Sequence, residues 1–406
     1  MAQRVAITGL GSLCGLGENP DALFAGLLAG QTAVRHLPAL VGTTLSVGPL
    51  VSASLPDEDN SDGGAILSGQ PRAGLFLLHS AQFALRQAGL GGPGAGDGRR
   101  IAVCVATTLG EKSPWLVGIE SKHKQVEPPS LAYGCGLLAE QLATRLGAER
   151  VRAVSTACCS SNTALSLSLS WLRRGLCDVV VCGGVDVLSP FVVSGFRSLR
   201  AQSADVCRPF DRRRSGVNLG EASACVILET ESHARRRGQP ILAFLAGAGL
   251  SQDAHHMTAP DPQGRGALLA MQRALFDAEL STDAVDFVSS HGTGTPFNDQ
   301  MEGRAIQQLL GDRCLAVPVN SIKGSVGHTL GAAGLLEAVM AVQVLSSQKI
   351  PQTVGLEEVD PAFSLDLVQG KPRESAVRCV LSTASGFGGE NAAVVIASAS
   401  DAGSLP

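Results

Sequence analysis

Charge is what this sequence has least of. Asp, Glu, Lys and Arg make up 17% of its 406 residues and aromatic residues only 4%, against the roughly 25% charged content usual for a soluble chain. So little charge predicts a tightly packed molecule that buries surface against a partner subunit. An excess of positive charge is also lacking: the formal net charge is −4 and the pI near 6.1, which gives no reason to expect a nucleic-acid ligand. There is no CxxC metal pair, no uncharged apolar run of 18 residues, and no long apolar core near the start. Metal binding through paired cysteines, membrane insertion and a secretory leader are therefore not expected. The 11 cysteines have no regular spacing, and most, such as Cys104, Cys182, Cys225 and Cys379, sit inside apolar runs. Such cysteines read as reduced and buried, which makes a soluble cytoplasmic protein the expectation.

Present instead are 48 glycines and 45% hydrophobic residues, arranged as short apolar strands alternating with helical patterns. Strands are expected over residues 5–11, 101–106, 151–154, 178–184 and 222–228, with helices at 20–28 and 75–88. From about residue 240 the order begins again: a strand from 241, a helix over 267–278, strands at 285–290 and 317–322, a helix over 331–345, and closing strands at 377–382 and 392–397. This alternation predicts parallel sheets covered on both faces, and the matched order predicts an internal duplication with halves 1–239 and 240–406. Residues 42–72 read as an irregular surface excursion, 89–98 as a Gly-rich loop and 111–133 as a loop or lid. The opening Thr8-Gly-Leu-Gly resembles a nucleotide-binding turn but lacks the GxGxxG spacing.

The chain is organised around Ser155-Thr-Ala-Cys-Cys-Ser-Ser161. A strand, a turn of small residues and a helix from Ser160 place Cys158 at or just before a helix N-terminus, where the helix dipole favours the nucleophilic thiolate. Any single cysteine of the 11 is a buried structural one by default, so Cys158 needs company. Three stretches at expected strand ends supply it. Ser290-His-Gly-Thr-Gly-Thr-Pro296 carries His291, with Asn298, Asp299 and Glu302 beyond. Asn320-Ser-Ile-Lys-Gly-Ser-Val-Gly-His328 leads into a helix bearing Glu337, the carboxylate partner that a buried Lys323 requires. Ser385-Gly-Phe-Gly-Gly389 frees consecutive backbone amides to face an oxyanion. A thiol, two imidazoles, a lysine and such a loop are the parts for acyl transfer followed by carbanion chemistry. That chemistry requires no metal and no organic cofactor.

The ordered set of these motifs, from Thr8-Gly-Leu-Gly to Gly388-Gly-Glu-Asn391, resembles the β-ketoacyl-acyl carrier protein synthases, condensing enzymes of the thiolase-like superfamily. The resemblance implies an α/β, five-layered αβαβα thiolase-like fold with duplicated halves, usually dimeric. It implies that Cys158 accepts the acyl group, that His291 and His328 bind the malonyl thioester carbonyl and promote decarboxylation, and that Lys323 organises the site with Glu337. The amides of Cys158 and Phe387 would form the oxyanion hole, with Phe387 the gate to the acyl pocket. Thr293 and Thr295 match pantetheine-contacting positions. Thr258, in the loop 253–260 beside the gate, joins Gly386 and Gly388 as substrate-binding positions. Arg208 and Arg212 to Arg214 would receive an acidic carrier protein by electrostatic steering.

Departures from the family pattern bear on substrate and partner. Cys159 stands where Ser, Thr or Ala is usual, so either of two adjacent thiols is open as the nucleophile, with the Thr-Ala-Cys register favouring Cys158. Ser385, Glu390 and Gly220-Glu-Ala-Ser223 also depart from the pattern. The activity implied is decarboxylative Claisen condensation with malonyl-acyl carrier protein in fatty-acid elongation. The alternative is a ketosynthase of a dedicated type II polyketide or aryl polyene pathway. The partner subunit is a second copy of the chain or a chain-length-factor-like protein. A non-catalytic chain-length factor is disfavoured because Cys158, both histidines and Lys323 are all present. A degradative thiolase is disfavoured because Ser385-Gly-Phe-Gly-Gly carries no second cysteine.

Overall fold

Strands and helices alternate in two rounds of the same order. In the computed structural model, which describes residues 3–35, 51, 53, 72–91, 99–110 and 134–400, the first round runs β1 (Val5–Leu13), α1 (Pro20–Leu28), α2 (Arg72–Gln87), β2 (Ile101–Ala106), α3 (Cys135–Leu146), β3 (Arg150–Val154), α4 (Ser160–Arg173), β4 (Val179–Asp186), α5 (Pro190–Ser198) and β5 (Ala222–Thr230). The second runs α6 (Glu231–Arg236), β6 (Ala243–Gln252), α7 (Arg265–Asp277), β7 (Phe287–Ser289), α8 (Pro296–Leu310), β8 (Pro318–Asn320), α9 (Ala333–Ser347), β9 (Cys379–Ser385) and β10 (Glu390–Ser398). The lid expected over 111–133, the tip of the 89–98 loop and nearly all of the excursion over 42–72 lie outside the described residues.

Hydrogen bonding orders the first five strands β3-β2-β4-β5-β1 and the last five β8-β7-β9-β10-β6. Numbered within each round, the two orders are identical, and so are the directions. The second strand lies parallel to the third and fourth, while the fifth lies antiparallel to both its neighbours. The sheets are thus mixed rather than parallel as the alternation predicted. At β9 and β10 the reason is local: the turn 386–389 folds the chain straight back, and no crossover helix intervenes. The two five-stranded units meet where Val5, Ala6 and Ile7 pair with Leu245, Phe244 and Ala243. With the short strand Asp366–Leu367 beside β8, they count as one sheet of 11 strands.

Side-chain alternation along the strands sorts the apolar residues into three cores. Val180 and Cys182 of β4, Val226 and Leu228 of β5 and Val394 and Ile396 of β10 point to the middle, where they meet Leu165 and Leu169 of α4 and Leu335 and Val339 of α9. Val181 and Ile227 face the other way, onto Phe76 and Leu77 of α2. Val395 and Leu381 face Met271 and Leu275 of α7. The layers are therefore outer helices, sheet, α4 with α9, sheet, outer helices, the αβαβα arrangement. Each fully buried Leu, Ile or Val in these cores contributes about 1.5–3 kcal/mol. The segment Leu330–Ser347 is apolar and long enough to cross a membrane, but the two sheets close over it.

The glycines of Thr8-Gly-Leu-Gly11 let a helix lie on a strand. A Cβ on Gly9 or Gly11 of β1 would strike the carbonyl oxygens of Ala84 or Ser80 on α2 at 2.1 and 1.9 Å. In the second round, Gly247 and Gly249 of β6 meet Ala274 and Ala270 of α7 in the same way, at 2.4 and 2.1 Å. The duplication extends to this detail of packing.

Candidate active site

Between β3 and α4 the chain makes a tight elbow. Ala157 has φ +47°, in the left-handed region that residues other than glycine seldom enter. The Ser160 hydroxyl ties the elbow, donating to the Ala157 carbonyl at 2.6 Å and accepting from the Thr156 amide at 2.9 Å. This geometry sets Cys158 on the wall of a cavity of about 330 Å³. Cys159 turns away: its thiol donates to the Glu390 carbonyl at 3.2 Å, and it packs with Ala384 and Ala392 in a small core. The two adjacent thiols that the sequence left open thus occupy different surroundings, and only Cys158 lines the cavity.

The second unit brings two imidazoles to the same floor. His328 reaches Cys158 with Nε2 2.9 Å from Sγ, and ligand atoms of Cys158, His291 and His328 all lie within 4.8 Å of one another. The imidazole rings meet edge to face, centroids 5.2 Å apart. Backbone contacts hold each histidine. The His328 amide donates to the Asn218 carbonyl at 2.7 Å, and the amides of His291 and Gly292 both donate to the Glu302 carboxylate at 2.7 Å. Thr383 donates to that carboxylate as well. The Ser321 hydroxyl donates to the Gly292 carbonyl at 2.7 Å, tying together the two loops that carry the histidines. Lys323 stands on the single helical turn Lys323–Val326 and pairs with Glu337 on α9 at 2.7 Å, each only 1% exposed.

The turn 386–389 closes the site from above. Gly386 lies so near the elbow that a Cβ there would come within 3.3 Å of the Cys158 amide nitrogen. Neither the Cys158 nor the Phe387 amide donates to another backbone group among the described residues. Phe387 is 37% exposed and stacks, tilted, against Phe196, with centroids 5.6 Å apart. The loop 253–261 is tied to this turn: the Gly388 amide donates to the Met257 carbonyl at 2.7 Å, and Asn391 donates to Asp253 at 2.7 Å. Thr258, Thr293, Thr295 and Gly386 line the cavity, and the hydroxyls of Thr293 and Thr295 share a hydrogen bond of 2.8 Å. Gly388 does not line it; Gly389 does.

Burial dominates the electrostatics. It pushes the Cys158 thiol up to about 12, although the Lys323 charge pulls the other way. Burial also holds His291 and His328 well below the ordinary imidazole range, and Lys323 adds to that effect. The resting pair is a neutral thiol against a neutral imidazole. Glu337 and Glu302 are both pushed upward by burial, with Lys323 acting against the shift.

Sequence reasoning saw Asp299 and Glu302 only as acids beyond a motif. Their spacing of three residues on α8 places them on one helix face. That face turns inward, where Asp299 accepts from the Phe210 and Gly294 amides and Glu302 clamps His291. Asp186, which received no role, accepts from the Thr108, Leu109 and Gly331 amides and so anchors the turn before α9. The arginine cluster needs correction. Arg208 pairs with Glu357, Arg212 with Glu358, Arg213 with Glu357 and Arg214 with Asp360. These cations are neutralised within the chain, whereas Arg200, exposed at the cavity mouth, has no acidic partner among the described residues.

A duplicated αβαβα fold with a cysteine on an elbow before the central helix, facing two histidines, defines a thiolase-like condensing enzyme. Residues 2–234 match the family model for the β-ketoacyl synthase N-terminal domain and residues 242–357 that for the C-terminal domain. The chain belongs to the β-ketoacyl synthase family, and it is an acyltransferase-type condensing enzyme. It is 36% identical to a nodulation protein E of Rhizobium meliloti (strain 1021), covering 97% of this chain and 98% of that protein. It is 31% identical to a 3-oxoacyl-[acyl-carrier-protein] synthase 2 of Coxiella burnetii (strain RSA 493 / Nine Mile phase I), again over 97% and 98%. The structure of the ishigamide ketosynthase/chain length factor superposes with a TM-score of 0.90 at 30% identity, covering 98% of this chain and 100% of that one.

Proposed function

We propose that the chain is a cytoplasmic β-ketoacyl-acyl carrier protein synthase of fatty-acid elongation in which Cys158 is the nucleophile. The observation that carries this reading is the 2.9 Å contact between Cys158 Sγ and His328 Nε2 at the floor of a cavity that His291 also faces. In the first half-reaction the Cys158 sulfur attacks the acyl thioester carbonyl and its proton passes to the departing carrier sulfur. The oxyanion is received by the Cys158 and Phe387 amides, and the carrier thiol departs. In the second, the neutral imidazoles of His291 and His328 donate to the malonyl thioester carbonyl. The C–C bond to the carboxylate breaks with loss of CO2, and the resulting enolate carbon attacks the acyl-cysteine. The β-ketoacyl carrier thioester leaves with the new C–C bond, and the Cys158 sulfur is expelled as a thiolate that takes up a proton from solvent. Lys323 with Glu337, and Glu302 through the His291 amide, hold the imidazoles in place, while Thr293 and Thr295 would contact the pantetheine arm and Thr258 and Gly386 would bind substrate from the cavity wall. The reaction centre lies between a half of residues 1–239, which supplies Cys158, and a half of residues 240–406, which supplies the histidines and Lys323.

The partners are acyl- and malonyl-loaded carrier protein and a second subunit, a copy of this chain. A second reading, a polyketide-type ketosynthase paired with a chain-length-factor subunit, is favoured by the match to the ishigamide ketosynthase/chain length factor. Mass spectrometry after incubation with acyl-carrier protein tests the nucleophile: the acyl mass is expected on Cys158 and absent in Cys158→Ala. His328→Ala is expected to keep acyl loading and lose release of labelled CO2 from malonyl-carrier protein by at least about a hundredfold, the range of one lost acid–base group. Acylation of Cys159 in Cys158→Ala, or equal loss of both half-reactions in His328→Ala, would overturn these roles.

A further inference from the structure

Three donor atoms of the kind that bind soft metals converge at the cavity floor with no carboxylate among them. They are the Cys158 thiol and one ring nitrogen each of His291 and His328, all buried and within 4.8 Å of one another. One cysteine with two histidines is a donor set that zinc-like ions take in tetrahedral geometry, with metal–sulfur bonds of about 2.3 Å and metal–nitrogen bonds of about 2.0–2.1 Å. Donors around one such ion stand roughly 3.3–3.6 Å apart, so these three have to close by no more than about 1.5 Å. The fourth position opens on the cavity and is free for water.

We propose that the chain binds one thiophilic divalent cation, Zn²⁺ or Cd²⁺, across Cys158, His291 and His328, and that this ion blocks the enzyme. On binding, the S–H bond of Cys158 breaks and its proton goes to the buffer as the sulfur–metal bond forms. Each imidazole gives the lone pair of a nitrogen carrying no hydrogen, a water completes the shell, and no electron is transferred. The coordinated sulfur keeps lone pairs but gives up much of its negative charge to the ion, and the ion with its water fills the space beside the sulfur that an acyl thioester would enter. The surroundings distinguish this site from one built for a resident metal. Among the described residues neither His291 Nδ1 nor His328 Nδ1 has a hydrogen-bond partner, whereas metal-binding histidines are normally oriented by such a bond, worth roughly 10–100-fold in affinity. The ammonium of Lys323 lies near enough to act on Cys158 and opposes a cation. Binding is therefore reversible by a chelator, and Mg²⁺ and Ca²⁺, which take oxygen ligands, do not compete.

The test is a titration of the full-length chain with Cd²⁺ at neutral pH, read by the ultraviolet thiolate-to-cadmium absorption. The expected result is saturation at a single equivalent, reversal by EDTA, and no response to Mg²⁺. His328→Ala should weaken binding by roughly tenfold or more, and Cys158→Ala should abolish the band. Should Cys158→Ala fail to fold, wild-type protein alkylated at Cys158 with iodoacetamide takes its place. As a second readout, bound Zn²⁺ is expected to slow iodoacetamide labelling of the Cys158 peptide in mass spectrometry. A band that survives loss or alkylation of Cys158, no binding in the wild type, or labelling indifferent to Zn²⁺ would overturn the proposal. Because no readout is turnover, the test stands whatever acyl substrate the enzyme uses.

Discussion

Cys158 faces two opposing influences, and burial outweighs the charge of Lys323. With the thiol pushed up to about 12, the fraction ionised rises tenfold per pH unit across the whole neutral range. The rate of iodoacetamide alkylation at Cys158 is therefore expected to climb with a slope near one from pH 6 to 10. A plateau below pH 8, measured by quantitative mass spectrometry of the Cys158 peptide, would mean a resting thiolate. This was not legible in the sequence, where a turn of small residues before a helix points to activation and nothing reports how deeply the sulfur is set. The identities of the facing residues were legible, because His291 and His328 each sit among glycines at a strand end. Glu302 was not, because its ligands are the backbone amides of His291 and Gly292, and amides carry no sequence signal.

Among the elements, strand β1 and its counterpart β6 depend on paired glycines. Gly249→Ala would press a methyl group into the Ala270 carbonyl at 2.1 Å and is expected to destabilise by about 3 kcal/mol or more, the upper range of overpacking. Gly195→Ala in α5, where a Cβ meets nothing within 4 Å, is expected to stabilise by roughly 0.5–1 kcal/mol. Urea midpoints of the two variants provide the comparison. Glu229 at the end of β5 forms another anchor. It is buried, yet hydrogen bonds from Arg237, His233 and Thr8 overcome that burial and hold its carboxyl down to about 2. A carboxyl bound more weakly by protons in the folded state adds stability above its unfolded value near 4.5, and that stability is lost as pH falls toward 2. Glu229→Gln is thus expected to cost about 2 kcal/mol at pH 7, and the difference should shrink between pH 4.5 and 2. The strands themselves were legible from their apolar runs. Their mixed direction was not, since alternation of strand and helix says nothing about the hairpin that joins β9 to β10.

For the molecule as a whole, charge is scarce and mostly spent internally. Arg212 and Arg213 read as a docking patch in sequence because Glu357 and Glu358, which neutralise them, lie more than 140 residues away. Arg212→Ala is accordingly expected to leave the KM for acyl-carrier protein within about twofold, as for a surface ion pair worth little. Arg200→Glu at the cavity mouth is expected to raise it roughly fivefold at low salt, with the gap closing as salt is added. Steady-state kinetics at two ionic strengths checks both. The duplication was visible in the repeated order of strands and helices, but the narrow seam between the units was not. Among the described residues Val5, Ala6 and Ile7 join the two ladders, while the sulfur comes from one side of that seam and both imidazoles from the other. Reactivity is consequently a gauge of how the two units are seated: a tilt too slight to disturb the two outer cores would still separate donor from acceptor at the one place where they have to touch.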